Sequence, residues 1–213
     1  MPAATDAPTD PTAPWIYLAS QSPRRRQLLD QLDVAHRLLL PDDTDAAELL
    51  EVVWPNEAPD DYVRRVTQAK WQDAAARLAA RHQADPAAWP IAPILCADTT
   101  VALDGDILGK PRDAADAVHM LRRLSGRVHR VLTAVVVDGQ ARLSISGVHW
   151  RSLSDAEIQR YADSGEPMGK AGAYAIQSRA GAWTSRIEGS YSGIMGLPLF
   201  DTAELLKPLG FHF

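Results

Sequence analysis

Three arginines stand at the start of an expected helix, where the helix's own charge opposes them. The stretch reads "SQSPRRRQLL", Ser20–Leu29. Ser22 suits an N-cap and Pro23 the first helical position. Arg24, Arg25 and Arg26 then fall in the first turn, where each exposed cation is unfavourable by roughly 0.3–1 kcal/mol. An isolated Arg-Arg-Arg is usually a solvated face. Here it directly follows an apolar run, "WIYLA" (Trp15–Ala19), that reads as a buried strand. The turn from a strand into a helix is where α/β proteins place ligands. A bound polyphosphate resolves the conflict, because free N–H groups at a helix start attract anions and guanidinium forks match phosphate oxygens in pairs. Successive side chains are about 100° apart on a helix, so one or two of the three face the ligand. Ser20 and Ser22 add hydroxyl donors.

Three further residues carry charge where the pattern is apolar. Lys70 falls within a stripe of Val63, Val66, Ala74 and Leu78. A lysine there either snorkels outward or meets an anion. Asp98 closes the apolar run "ILCAD", a usual place for a metal ligand or a general base; an Asx cap of the next turn is the plain alternative. Lys110 lies on the return arm of a hairpin turning at Asp104-Gly105. A two-residue loop sets it across from Thr99, and a three-residue loop moves it to the face of Asp98. A structural salt bridge would give the same pattern. Finally, "GEPMGKAGAYAIQ" is rich in small residues that allow close backbone approach. Gln177 ends its expected strand, and its amide can read the edge of a base.

The elements that must position these groups alternate at first. A strand (Trp15–Ala19), a helix ending near Asp33 and a short strand "HRLLL" come first. The acidic loop "PDDTDAAELLEVVWPNE" shows no period, and a long helix follows from Pro59 to His82. Later the pattern turns to hairpins, at Asp104-Gly105 and at Asp138-Gly139. A helix over Asp113–Leu124, a capping box at Ser154–Glu157, strands "AYAIQ" and "AWTSRI" and a last helix over Leu199–Lys207 complete the chain. The expected fold is a mixed-sheet α/β domain with two lobes over residues 15–213, after a Pro-, Thr- and Asp-rich leader (residues 1–14) that reads as disordered.

Composition removes several classes. With 213 residues, 46% of them hydrophobic, the chain can bury a sizeable core. A net charge of −5 argues against a broad nucleic-acid surface, so any anion site is local. The lone Cys96 excludes an internal disulfide. No apolar run approaches the roughly 20 residues of a membrane span, and the leader lacks a secretory pattern. A cytoplasmic protein is expected.

Taken together, "LASQSPRRRQLL", "CADTTVALDGDILGKP", "MLRRLSGRVHRVLTAV", "KAGAYAIQ" and "IEGSYSGIMGLPL" resemble the Maf family of nucleoside triphosphate pyrophosphatases. The resemblance runs from about Tyr17 to the C-terminus. It implies an elongated fold like that of inosine triphosphatases, with a cleft between lobes. It also implies a divalent metal (Mg²⁺ or Mn²⁺), a homodimer, and hydrolysis of a nucleoside triphosphate to monophosphate and pyrophosphate. By the same resemblance Asp98 is the proton acceptor and a metal ligand. Lys70 and Lys110 are then the phosphate-handling lysines, and Ser20, Arg24 and Arg25 belong to the phosphate loop. The branch resembling dTTP/UTP pyrophosphatases carries Arg, Thr and Gln at three selectivity positions, which match Arg24, Thr99 and Gln177. The chain departs from the family where an acidic pair is usual. Ala46 stands in place of a Glu, and Asp42, Asp43 or Asp45 is expected to substitute. Two alternatives remain: a pyrophosphatase acting on 7-methyl-GTP or another modified nucleotide, and a nucleotide-binding regulator of cell division. The set Asp98, Lys70 and Lys110 favours an enzyme, since a pure binder needs no base.

Overall fold

Apolar runs of the chain assemble into one seven-stranded mixed sheet in the computed structural model, which describes residues 13–42 and 49–213. The buried strand β1 (Ile16–Leu18) lies between β2 (His36–Leu38) and β3 (Ile94–Leu103), parallel to both. β3 pairs antiparallel with β5 (Val128–Val137), β5 with β6 (Gln140–Trp150), and β6 with β7 (Thr184–Glu188). The short β4 (Asp106–Leu108) folds back on the far end of β3. Both Asp-Gly turns form as expected. Asp104 and Gly105, like Asp138 and Gly139, all have positive φ, as a two-residue hairpin of this twist requires.

Helices flank the sheet. They are α1 (Pro23–Asp30), α2 (Pro59–Ala84), α3 (Ala114–Leu124), α4 (Asp155–Asp163), α5 (Tyr191–Met195) and α6 (Leu199–Leu206). Their ends follow local chemistry. Asp113 accepts from the Asp116 N–H, and Ser154 with Glu157 forms the expected capping box. No helix among the described residues is long and apolar enough to cross a membrane.

Two expectations need correction. Asp98 does not end a strand: β3 runs for ten residues, and of these only Thr99 is not buried. The strand continues because β5 pairs with it as far as Ala102, whereas β1 pairs with it only to Leu95. Asp98 therefore lies just beyond the point where one neighbouring strand stops, and that side of β3 is open. It also lies between two packed clusters. Leu95 and Ala97 join one with Ile16, Leu18 and Leu28, while Val101 and Leu103 join another with Leu121, Trp150 and Ile158. The second correction concerns "AYAIQ", which is not a strand. Gly172 and Ala173 both have positive φ, and a turn follows at Ile176–Gln177. Gly172 is pressed onto β3 so closely that a Cβ would stand 2.9 Å from Val101 side-chain atoms. That contact bends the segment over the sheet's face and keeps it off the sheet's edge.

Beneath this segment, His129 of β5 is 1% exposed, with its Nε2 2.7 Å from the Tyr174 hydroxyl. Burial, with the nearby His149, pushes the imidazole down to about 3 from 6.5. The folded protein thus keeps His129 neutral, while the unfolded chain takes up a proton below pH 6.5. Stability is therefore unaffected above that pH and falls between pH 6.5 and about 3. At about 1.4 kcal/mol per unit, the loss across this window is on the order of 3–5 kcal/mol. Urea midpoints at pH 7 and pH 4 should show a steep fall for the wild type and a shallower one for His129→Gln. Equal falls would remove His129 as the cause.

Candidate active site

A cleft of about 460 Å³ opens over the uncovered side of β3. Its walls are the start of α1, the middle of α2, the segment around Glu51, and the loops at Lys110, Lys170–Gln177 and Gly196. The nine residues singled out from the sequence all line it: Ser20, Ser22, Arg24, Arg25, Lys70, Asp98, Thr99, Lys110 and Gln177. Arg26 is not among the lining residues.

Two carboxylates of the cleft are organised by Lys70. Its Nζ lies 2.5 Å from Asp98 Oδ1 and 2.7 Å from Glu51 Oε1. This explains a lysine on an apolar stripe: α2 delivers it to two carboxylates. Burial opposes its charge, but Asp98 and Glu51 more than offset that and hold its pKa above the usual lysine value. Glu51 mirrors this. Burial alone would raise its pKa, yet Lys70 and Lys110 together hold it below the usual carboxylate value. The Tyr62 phenol, buried near both carboxylates, is pushed upward by burial and then by their charges, so it stays protonated.

Glu51 is an acidic residue of the cleft that the sequence reading did not name. Asp42 is turned away and pairs with Arg81 at 2.5 Å, and Asp43, Asp45 and Ala46 lie outside the described residues. The missed signal was a single acid enclosed by apolar residues in "LLEVV". Lys110 also reaches an unexpected partner. The hairpin has its two-residue loop, but pairing ends at Val101 and Leu108, so Lys110 never comes into register with Thr99. The Gly109 carbonyl instead accepts from the Gly172 N–H, and Lys110 Nζ meets Glu51 Oε2 at 2.9 Å.

Two arginines of the cleft belong to α1. Arg25 donates from Nε to the Gly196 carbonyl at 2.8 Å and from Nη1 to Ser20 Oγ at 3.1 Å, while Arg24 Nε donates to the Met195 carbonyl at 3.2 Å. These carbonyls close α5, so the two arginines cap its C-terminal end, where cations are favoured. Burial lowers the pKa of both guanidiniums. Ser22 is the N-cap residue, but its side chain makes no capping bond; its N–H donates to Ser20 Oγ at 3.2 Å. Lys170, also missed, lines the cleft with its Nζ on the Glu166 carbonyl. Burial and then Arg24 lower its pKa. Gln177 is exposed at the tip of its turn, on the same rim.

The docking of Arg25 changes one expectation. From the sequence, removing a cation that opposes its helix should leave the ligand-free protein as stable or more so. The structure gives that side chain two hydrogen bonds to other segments. Hydrogen bonds to charged groups contribute about 1.5–3 kcal/mol, so Arg25→Ala should lower the melting temperature of the ligand-free protein by several degrees. An unchanged melting temperature would mean that these bonds add nothing net.

No group of three or more His, Cys, Asp or Glu side chains among the described residues is arranged to hold a metal. Asp98 and Glu51, brought to one ammonium, are a two-carboxylate set. Mg²⁺ is commonly held by one or two carboxylates with substrate phosphates completing its shell, so this donor set fits such an ion.

A protein-family model described as "Maf-like protein" matches residues 15–209. The chain is 59% identical to a dTTP/UTP pyrophosphatase of Cupriavidus pinatubonensis over 203 residues, covering 93% of this chain and 98% of that protein. It is 58% identical to a dTTP/UTP pyrophosphatase of Albidiferax ferrireducens over 202 residues, covering 92% and 98%. A dTTP/UTP pyrophosphatase of Burkholderia thailandensis is 54% identical over 208 residues, covering 95% and 96%.

Proposed function

The chain belongs to the Maf-like family, and from that membership we propose that it hydrolyses dTTP and UTP to the nucleoside monophosphate and pyrophosphate. The observation that carries this reading is the pairing of two groups in one cleft. A lysine-bridged pair of carboxylates and a helix start with two docked arginines line it together. The first suits proton transfer beside a phosphorus atom. The second suits the charge of a triphosphate.

Water attacks the α-phosphorus, the bond to the β-phosphate oxygen breaks, and pyrophosphate leaves. Asp98 takes the proton of the attacking water. Lys70 and Lys110 are released from the carboxylates as the triphosphate enters, and they stabilise charge building on the phosphoryl oxygens. Arg25 keeps its Nε on Gly196 and presents its remaining N–H groups to the ligand. Asp98 and Glu51 would hold a Mg²⁺ or Mn²⁺ ion, which when bound neutralises phosphate charge and lowers the pKa of coordinated water. Gln177, Thr99 and Arg24 surround the pyrimidine.

The test is a panel of dTTP, UTP, CTP, ATP, GTP and 7-methyl-GTP, with pyrophosphate and monophosphate as the readout. dTTP and UTP should lead. Purines should be slower by the roughly 10–200-fold that exclusion by shape achieves. A chelator should stop turnover, and Mg²⁺ or Mn²⁺ should restore it. If 7-methyl-GTP leads the panel, the substrate assignment fails.

A further inference from the structure

A chain of hydroxyls crosses the sheet under the cleft, and its proton count is fixed. Thr99 and Thr133 are directly opposed on β3 and β5. Thr133 Oγ1 lies 2.7 Å from the Gly193 carbonyl in α5, to which it must donate, because a carbonyl has no proton to give. Gly193 can come this close because it has no side chain; a Cβ there would stand 3.0 Å from Ser144 Oγ. Thr133 has one proton, and that proton is spent. In its 2.9 Å bond to Thr99 Oγ1, Thr133 is therefore the acceptor and Thr99 the donor. Arg25 Nη2 approaches the Thr99 oxygen at 3.5 Å, a further donor to it. Thr99 is the one residue of β3 that is not buried, and it lines the cleft. Its hydroxyl proton points into the sheet, so only lone pairs face a ligand.

We propose that Thr133 is a positioning residue that fixes Thr99 as an obligate hydrogen-bond acceptor, and that this acceptor selects uracil and thymine over cytosine at ring position 3. The inference rests on the pyrimidine triphosphate reading of the cleft. Uracil and thymine carry N3–H, a donor, whereas cytosine carries a bare N3, an acceptor. A glutamine amide such as Gln177 cannot make this distinction alone, because rotation by 180° exchanges its donor and acceptor. A hydroxyl free to turn cannot make it either. A hydroxyl whose proton is committed elsewhere can. Cytosine would place two acceptors face to face and leave both unpaired in a partly desolvated site.

The experiment compares kcat/KM for UTP and CTP in wild type, Thr133→Val, Thr133→Ser, Thr99→Val and Thr99→Ser, with melting temperatures alongside. The wild type should favour UTP. Thr133→Val frees the Thr99 proton, so the ratio should fall about tenfold or more, chiefly through a gain on CTP. Thr133→Ser keeps the relay and should keep the ratio. Thr99→Val should narrow the ratio by losing UTP, and Thr99→Ser should restore it. A merely structural role for Thr133 would lower both substrates together and leave the ratio unmoved. If Thr133→Val does not fold, the two Thr99 variants still decide. An unchanged ratio in the valine variants overturns the proposal. So does a wild type that prefers CTP, since the acceptor would then face the exocyclic amine. A wild type that turns over no pyrimidine triphosphate overturns the functional reading itself, a result distinct from either of these.

Discussion

Asp98→Asn should lower kcat by about 10²–10⁴-fold, the usual cost of removing a general base. The amide keeps the shape of the carboxylate but cannot accept the proton of the attacking water, and it is a poorer donor to a divalent cation. The fold should tolerate the change. Lys70 loses one anionic partner but retains Glu51 at 2.7 Å, so its ammonium is not left buried and unpaired. The asparagine carbonyl can still accept from Nζ. Pyrophosphate release measured at saturating UTP, beside a melting curve, separates the two effects. Turnover within a few-fold of wild type would remove Asp98 from the chemistry. A collapse of the melting temperature would show that the lysine bridge supports the fold before it supports the reaction.

Residues whose meaning is local were legible in the sequence. Ser154 and Glu157 define a helix start within four residues, and Asp138-Gly139 defines a hairpin within two, because each satisfies its own backbone groups. Lys70 was legible as a misfit, since a charge on an apolar stripe needs a partner. The identity of that partner was not legible, because Glu51 arrives from an aperiodic loop nineteen positions away. The full length of β3 was equally hidden. Nothing in "ADTT" says that the strand continues; the pairing with β5 decides it. The arginines were legible as a cluster of cations at a helix start but not as structure. Their use as caps on α5 depends on a contact 171 positions along the chain. The small and β-prone residues before Gln177 favour a strand. Two consecutive left-handed residues and the press of Gly172 against Val101 overrode that preference.

Lys70→Met should cost about 10²–10³-fold in kcat/KM near neutral pH, and it should also move the acid side of the pH profile upward. The first effect follows from losing an ammonium aimed at the charge that develops in the transition state. The second follows from Glu51. In the wild type, burial raises the pKa of Glu51, but Lys70 and then Lys110 hold it below the ordinary value. Methionine removes the larger of those charges while filling similar space, so burial gains the advantage and the carboxyl keeps its proton to higher pH. Lys110 Nζ remains 2.9 Å away on the other oxygen, which limits the rise without abolishing it. The same linkage predicts a stability effect with a definite sign. A carboxylate whose folded pKa is depressed stabilises the protein above its unfolded value and loses that contribution as pH falls through the folded one. Lys70→Met should therefore destabilise the protein at pH 7 and destabilise it less at pH 4, where Glu51 is more protonated in the unfolded chain. The side chains of Lys70 and Glu51 are 21% and 26% exposed, so solvent screening should keep the loss well below the 3–5 kcal/mol of a fully buried pair. Lys70→Arg restores the charge and should bring the acid limb back, even where the larger guanidinium fails to restore the rate. Profiles of kcat/KM from pH 4 to 9 for the three proteins decide the matter. An acid limb that stays in place in Lys70→Met would mean that Glu51 takes no part in the titration governing activity, and the coupling of the two lysines through one carboxylate would be structural only.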